Sequence, residues 1–115
     1  MESYQNLLVW QRAVQLAVAL HRLTDTFPDA ERDGLAAQIR RLGVSIASCI
    51  ADGSSRSSPV EHKHFLNMAR GAAFELQTQL VISRELGLGS PRDLDHVEHL
   101  STEVNRLILT SLKSL

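Results

Sequence analysis

The sequence predicts an all-α fold, an antiparallel up-down-up-down four-helix bundle formed by one domain over residues 1–115. Three observations carry that expectation. Apolar residues recur at intervals of three and four along most of the chain. Two Ser-Pro dipeptides, Ser58-Pro59 and Ser90-Pro91, stand where helices should begin. Aromatic residues make up only 4% of the 115 residues, too few for the aromatic and β-branched strands of a sandwich or barrel.

The first helix is expected over about residues 5–26, because Val9, Ala13, Leu16, Leu20, Leu23 and Phe27 share one helical face. Phe27-Pro28-Asp29 should stop it, since proline disfavours helical geometry in the residue before it. A second helix should begin within Asp29 to Asp33, where three acids suit the positive end of a helix dipole. Its inward face reads Leu35, Ile39, Leu42, Ile46, Cys49 and Ile50, and Gly53-Ser54-Ser55 should end it with a left-handed glycine cap. Ser58, Pro59 and Glu61 form a start signal for the third helix, with Phe65, Ala69, Ala72, Leu76 and Leu80 inward and Gly87 as terminator. Ser90, Pro91 and Asp93 repeat the plan for a fourth, lined by Leu94, Val97, Leu100, Val104, Leu107, Ile108 and Leu112. Short connections between helices of similar length make sequence neighbours antiparallel.

Helix one holds more apolar residues than one bundle face needs. Leu7, Leu8, Trp10, Val14, Ala17 and Val18 lie outside its inward set, and some of them are expected to face a partner. Ala36, Gly43 and Ala47 form a small-residue strip on helix two, suited either to close packing inside the bundle or to a subunit contact.

Composition excludes several functions. The formal charge of −1 is not that of a strongly basic nucleic-acid binder, and 43% apolar with 22% charged residues is ordinary globular usage. No membrane span is expected. One cysteine cannot form an internal disulfide, and residues 1–20 lack a signal-peptide pattern, so the expected compartment is the cytoplasm. Glu61-x-x-His64 and Asp93-x-x-His96 imitate the pairs that hold di-iron in bundles. Both nonetheless start consecutive antiparallel helices, which separates them by about 30 Å at 1.5 Å per residue. A metal-dependent enzyme is therefore the lesser alternative, together with a protein-only interaction module. No catalytic constellation, metal set or cofactor motif is expected. Cys49 lies on an apolar face with no histidine locally paired to it, which suits a buried small hydrophobe.

Charge is unevenly spread. From Gly34 to Arg70 five cations, Arg40, Arg41, Arg56, Lys63 and Arg70, face the two acids Asp52 and Glu61. From Gly71 to Leu115 four cations meet six acids. The five cations are the candidate contacts to RNA or DNA, the alternative being a solvated face of internal ion pairs.

Leu7-Leu8-Val9-Trp10-Gln11-Arg12-Ala13, Phe27-Pro28 with Gly34-Leu35, and Gln38-Ile39-Arg40-Arg41-Leu42-Gly43-Val44-Ser45-Ile46 resemble the small proteins encoded in 23S rRNA intervening sequences. Ile50-Ala51-Asp52-Gly53, Phe65-Leu66 and Glu75-Leu76-Gln77-Thr78-Gln79-Leu80 extend the resemblance through helix three. Where that family usually has Ser-Ile-Pro-Ser-Asn-Ile-Ala-Glu-Gly, this chain departs at Ala47, Cys49 and Asp52. The resemblance implies a cytoplasmic, non-enzymatic bundle assembling as a homopentameric ring with a central channel. It is also similar to the accessory variability proteins of diversity-generating retroelements, basic pentamers that bind nucleic acid. Arg40 and Arg41 match the family's paired arginines; adjacent on a helix, they diverge by about 100 degrees, so one can pair with a carboxylate while the other reaches outward. Gln38 and Ser45, seven apart on one face, and Gln79 are candidate partners in a polar seam. The candidate oligomer interface is thus Leu7, Leu8, Trp10, Val14, Ala17, Val18, Gln38, Arg41 and Ser45.

Overall fold

The computed structural model describes residues 3–115. Four helices dominate: α1 (Leu8–Thr24), α2 (Leu35–Ser54), α3 (Pro59–Glu85) and α4 (Pro91–Lys113), with 3-10 turns at Tyr4–Asn6 and Asp29–Glu31 and no strand among the described residues. Each helix borders the next in sequence, and α1 closes the square against α4, while the diagonal pairs do not approach. Cross-links fix the directions. Arg40 of α2 reaches Asp25 just past the end of α1, Gln79 near the end of α3 donates to Gln38 near the start of α2, and Arg84 at the end of α3 meets Asp95 near the start of α4. Neighbouring helices therefore run antiparallel in a rod of 44 × 23 × 20 Å.

Local chemistry explains most boundaries. Ser58 and Ser90 cap α3 and α4, their hydroxyls accepting from the backbone N–H of Glu61 and Asp93, with a proline behind each cap. Gly87, at φ +73°, closes α3: its N–H donates to the Arg84 carbonyl and that of Leu88 to Ser83, two bonds that satisfy the last carbonyls of the helix. The core is aliphatic, built on Leu16, Leu20, Ile39, Ile46, Leu76, Leu80, Val104 and Ile108, each no more than 1% exposed. Fully burying such side chains supplies about 1.5–3 kcal/mol apiece.

Four expectations are corrected. Residues 4–6 form a separate 3-10 turn capped by Ser3, and extended Leu7 breaks the chain before α1 begins. Asp29 and Glu31 head the second 3-10 turn rather than α2, whose first residue is Leu35. Gly53 is not a left-handed cap: it lies inside α2, where a Cβ would sit 3.0 Å from the Cβ of Phe65 and 3.3 Å from the His62 carbonyl oxygen, so it lets α3 approach. The buried faces are also rotated. On α2, Ala36 and Gly43 are buried whereas Leu35 and Cys49 are half-buried; on α3, Leu66 and Ala73 take the places expected for Phe65 and Ala72.

The small-residue strip divides its work. A Cβ on Gly43 would lie 2.8 Å from Leu20 Cδ1 and 3.3 Å from Ala17 Cα, so Gly43 brings α1 and α2 together, with Ala36 buried along the same seam. Ala47 lies at the edge of that seam, half-buried.

Candidate functional site

The close α1–α2 approach leaves a shallow apolar groove on the outside of the bundle. Trp10, Val14, Ala17 and Val18 form one wall, Val44, Ala47, Ser48 and Ala51 the other, and Tyr4 closes one end, around a volume of about 330 Å3. Tyr4 meets Trp10 edge to face, ring centroids 5.3 Å apart at 73°, which fixes the indole as part of the wall. Val18 and Val44 are 44% and 50% exposed across the groove. Apolar residues scattered singly over a surface need no explanation; here they line one concavity together.

The groove unites four of the nine residues expected at an interface, Trp10, Val14, Ala17 and Val18. It does not include the other five. Leu7 is half-buried against the core and Leu8 is 48% exposed, but neither lines the groove. Gln38 accepts from Gln79 Nε2 at 2.9 Å within the α2–α3 seam, Ser45 is half-buried, and Arg41 is exposed on α2. Val44 and Ala51 of the second wall were not anticipated. Their spacing of seven places them on one face of α2, but which helix that face borders is settled only by packing.

The five candidate cations do not converge. Arg40 is spent inside the molecule: its Nε donates to Thr24 Oγ1 at 2.7 Å and its Nη2 to Asp25 Oδ1 at 2.6 Å. The Arg56 guanidinium lies 4.6 Å from the centre of the Phe65 ring, and that of Arg70 5.5 Å from Phe74. Arg70 Nε is buried without a hydrogen-bond partner. Lys63 and Arg41 are exposed, and among the described residues no carboxylate comes within ion-pairing distance of Arg41, Arg56 or Lys63. Arg41 lies thirteen residues before the end of α2, about 20 Å at helical rise, whereas Arg56 follows that end and Lys63 stands on α3, so the cations are spread and not gathered in a pocket.

Titratable groups that could do chemistry stay apart. Arg84, at the end of α3 that meets α4, is 23 and 20 residues beyond Glu61 and His64, which leaves those two about 30 Å from Asp93 and His96. Among the described residues no three His, Cys, Asp or Glu side chains come close enough together to hold a metal ion. Burial pushes the Cys49 thiol above its ordinary pKa, and Asp52 pushes it further, which favours the unreactive protonated form. No helix among the described residues is long and apolar enough to cross a membrane.

Comparison with known proteins agrees with this architecture. A crystal structure of a protein of unknown function from the S23 ribosomal protein family of Bacteroides thetaiotaomicron VPI-5482 superimposes with a TM-score of 0.85 at 22% identity, over 92% of this chain and 99% of that one. No functionally curated protein matches. The family model of the 23S rRNA-intervening sequence proteins matches residues 5–110, and the chain belongs to that family.

Proposed function

We propose that this protein is a non-catalytic scaffold that assembles with copies of itself through the α1–α2 groove, in the five-membered ring that its family resemblance implies. The carrying observation is the groove: an indole and six aliphatic side chains, three valines and three alanines, line a concavity that none of the described residues fills. Covering a half-exposed valine stabilises by on the order of 1 kcal/mol, so Val18 and Val44 supply part of the about 4–15 kcal/mol that association costs, and the indole and the residues covering the groove supply the rest. Light scattering at micromolar concentration tests the proposal. The expected mass is five times the 12.7 kDa of one chain, and a monomer overturns it.

A second reading concerns RNA or DNA as the load that such a scaffold holds. It is favoured by Arg41, Arg56 and Lys63, which have no carboxylate partner among the described residues and would be repeated around an assembly. A mobility-shift titration at low salt should show binding that weakens steeply as salt rises. Replacing Arg41, Arg56 and Lys63 with alanine should abolish it, while Arg40→Ala should leave it intact because Arg40 is already paired. Binding that survives the triple replacement refutes this reading.

A further inference from the structure

A groove shared by two identical copies face to face makes a closed dimer, so a larger ring needs a second, different patch for the groove to receive. The outer side of α3 has one. Phe74, Val81 and Ile82 are 48%, 55% and 44% exposed, at spacings of seven and eight that align them with Thr78 between. At the head of the stripe the Arg70 guanidinium lies 5.5 Å from the centre of the Phe74 ring. Nothing inside the bundle requires these residues to be apolar.

Position and height both match. In the square arrangement α1–α2 and α3–α4 are opposite faces, and Val81 lies on the latter, lining a groove with Gln77, Glu98 and Thr102. Two different faces of each copy are what a head-to-tail assembly joins. The Gln38–Gln79 hydrogen bond sets a common level on α2 and α3. Phe74 lies five residues before Gln79 and Val44 six after Gln38, so in these antiparallel helices both are displaced the same way, by about 7.5 and 9 Å. They therefore stand within about 2 Å of one height. Rotation about an axis parallel to the helices carries one copy beside another without changing heights, which brings Phe74 of one opposite Val44 and Val18 of the next. Charge agrees as well: residues 34–70, which include the whole of α2, have three more cations than acids, whereas residues 71–115 have two more acids than cations.

We propose that the Phe74 stripe of α3 fills the α1–α2 groove of a second copy, making every contact in the assembly groove to stripe. The inference rests on the self-assembly reading above and names its missing partner surface.

Complementing variants test it. Phe74→Asp keeps the groove and loses the stripe; Val44→Asp keeps the stripe and loses the groove. Both positions are about half exposed, so circular dichroism should show an unchanged helical fold. Each variant alone should scatter light as a monomer. Their equimolar mixture restores one good contact and no more, so it should halt at a dimer of twice 12.7 kDa, with blue-shifted emission from Trp10, the chain's one tryptophan. If either variant stays assembled, or the mixture stays monomeric, groove and stripe are not partners although the wild type still assembles. If the wild type is itself a monomer, it is the underlying self-assembly reading that fails.

Discussion

Replacing Gly71 and Gly43 by alanine, one at a time, makes the same chemical change in two helix interiors and should move stability in opposite directions. Alanine is favoured over glycine by about 0.8–1 kcal/mol in a helix, because glycine loses more backbone freedom on folding. At Gly71 of α3 an added Cβ meets nothing within 4 Å, so the whole gain should be realised. With an unfolding entropy of about 2.1 cal/mol/K per residue over 115 residues, about 1 kcal/mol raises Tm by roughly 4 °C. At Gly43 the same methyl would lie 2.8 Å from Leu20 Cδ1 and 3.3 Å from Ala17 Cα. Leu20 is 0% exposed and the Ala17 contact is to backbone, so relief requires α1 to move away from α2. Overpacking of that kind costs about 1–3 kcal/mol, which exceeds the helical gain and should leave a net loss of roughly 1 kcal/mol and a lower Tm. Thermal unfolding followed by circular dichroism at matched concentration measures both. A Gly43→Ala variant as stable as Gly71→Ala would refute the claim that close α1–α2 contact dictates the residue there, and with it the account of how the groove floor is shaped.

Two further stability and reactivity outcomes follow from single side chains. Ser101 is fully buried with an unpartnered hydroxyl, whereas the equally buried Ser83 donates to the Gln79 carbonyl at 2.9 Å; urea titration should find Ser101→Ala more stabilising than Ser83→Ala by about 1 kcal/mol. Because burial first and Asp52 second raise the Cys49 pKa, alkylation by iodoacetamide should be slow at neutral pH, keep rising well into alkaline solution, and quicken in Asp52→Asn. The unfolded thiol ionises at lower pH than the folded one, so this cysteine's contribution to stability is intact below the unfolded pKa and declines as pH rises through the folded value; an alkylation rate that levels off near neutrality would contradict the raised pKa.

The features legible in the sequence were those whose cause is local. A serine hydroxyl and a following proline define the starts of α3 and α4 whatever packs around them, and Gly87 ends α3 because its own backbone turns left-handed. Gly53 shows the limit. A glycine near a helix end suits a cap and a close approach equally, and only the presence of Phe65 and His62 beside it decides. The shift of the α3 core from Ala72 to Ala73 has a related cause. Apolar residues occur on the outer side of α3 too, so periodicity alone does not choose between faces. For the same reason the Trp10 wall of the groove was legible as a surplus on helix one, but the Val44 wall was not, since it needs the orientation of α2 against α1. The stacked pairs Arg56–Phe65 and Arg70–Phe74 differ in legibility as well: the second is an i, i+4 pair that helical spacing could have revealed, while the first spans the α2–α3 turn.

Arg40 and Arg41 show how the packing that holds the chain together also shapes its surface. The two diverge around the helix, and their environments differ accordingly. Arg40 ties α2 to Thr24 and Asp25 at the end of α1, and buried Thr24 in turn donates to the Leu20 carbonyl at 2.8 Å. This clamp and the Gly43–Ala17 approach hold the two groove walls at two points along their length, and the Tyr4–Trp10 edge contact fixes the indole within the α1 wall. A surface fixed in this way before association loses little conformational freedom when covered, so modest apolar area can suffice for a stable assembly. Arg41 stays outside that clamp with its donors free. The chain thus spends one arginine on holding the walls of the groove and leaves the adjacent one exposed, which in the proposed assembly separates the surface that meets other copies from the cation open to an anionic partner.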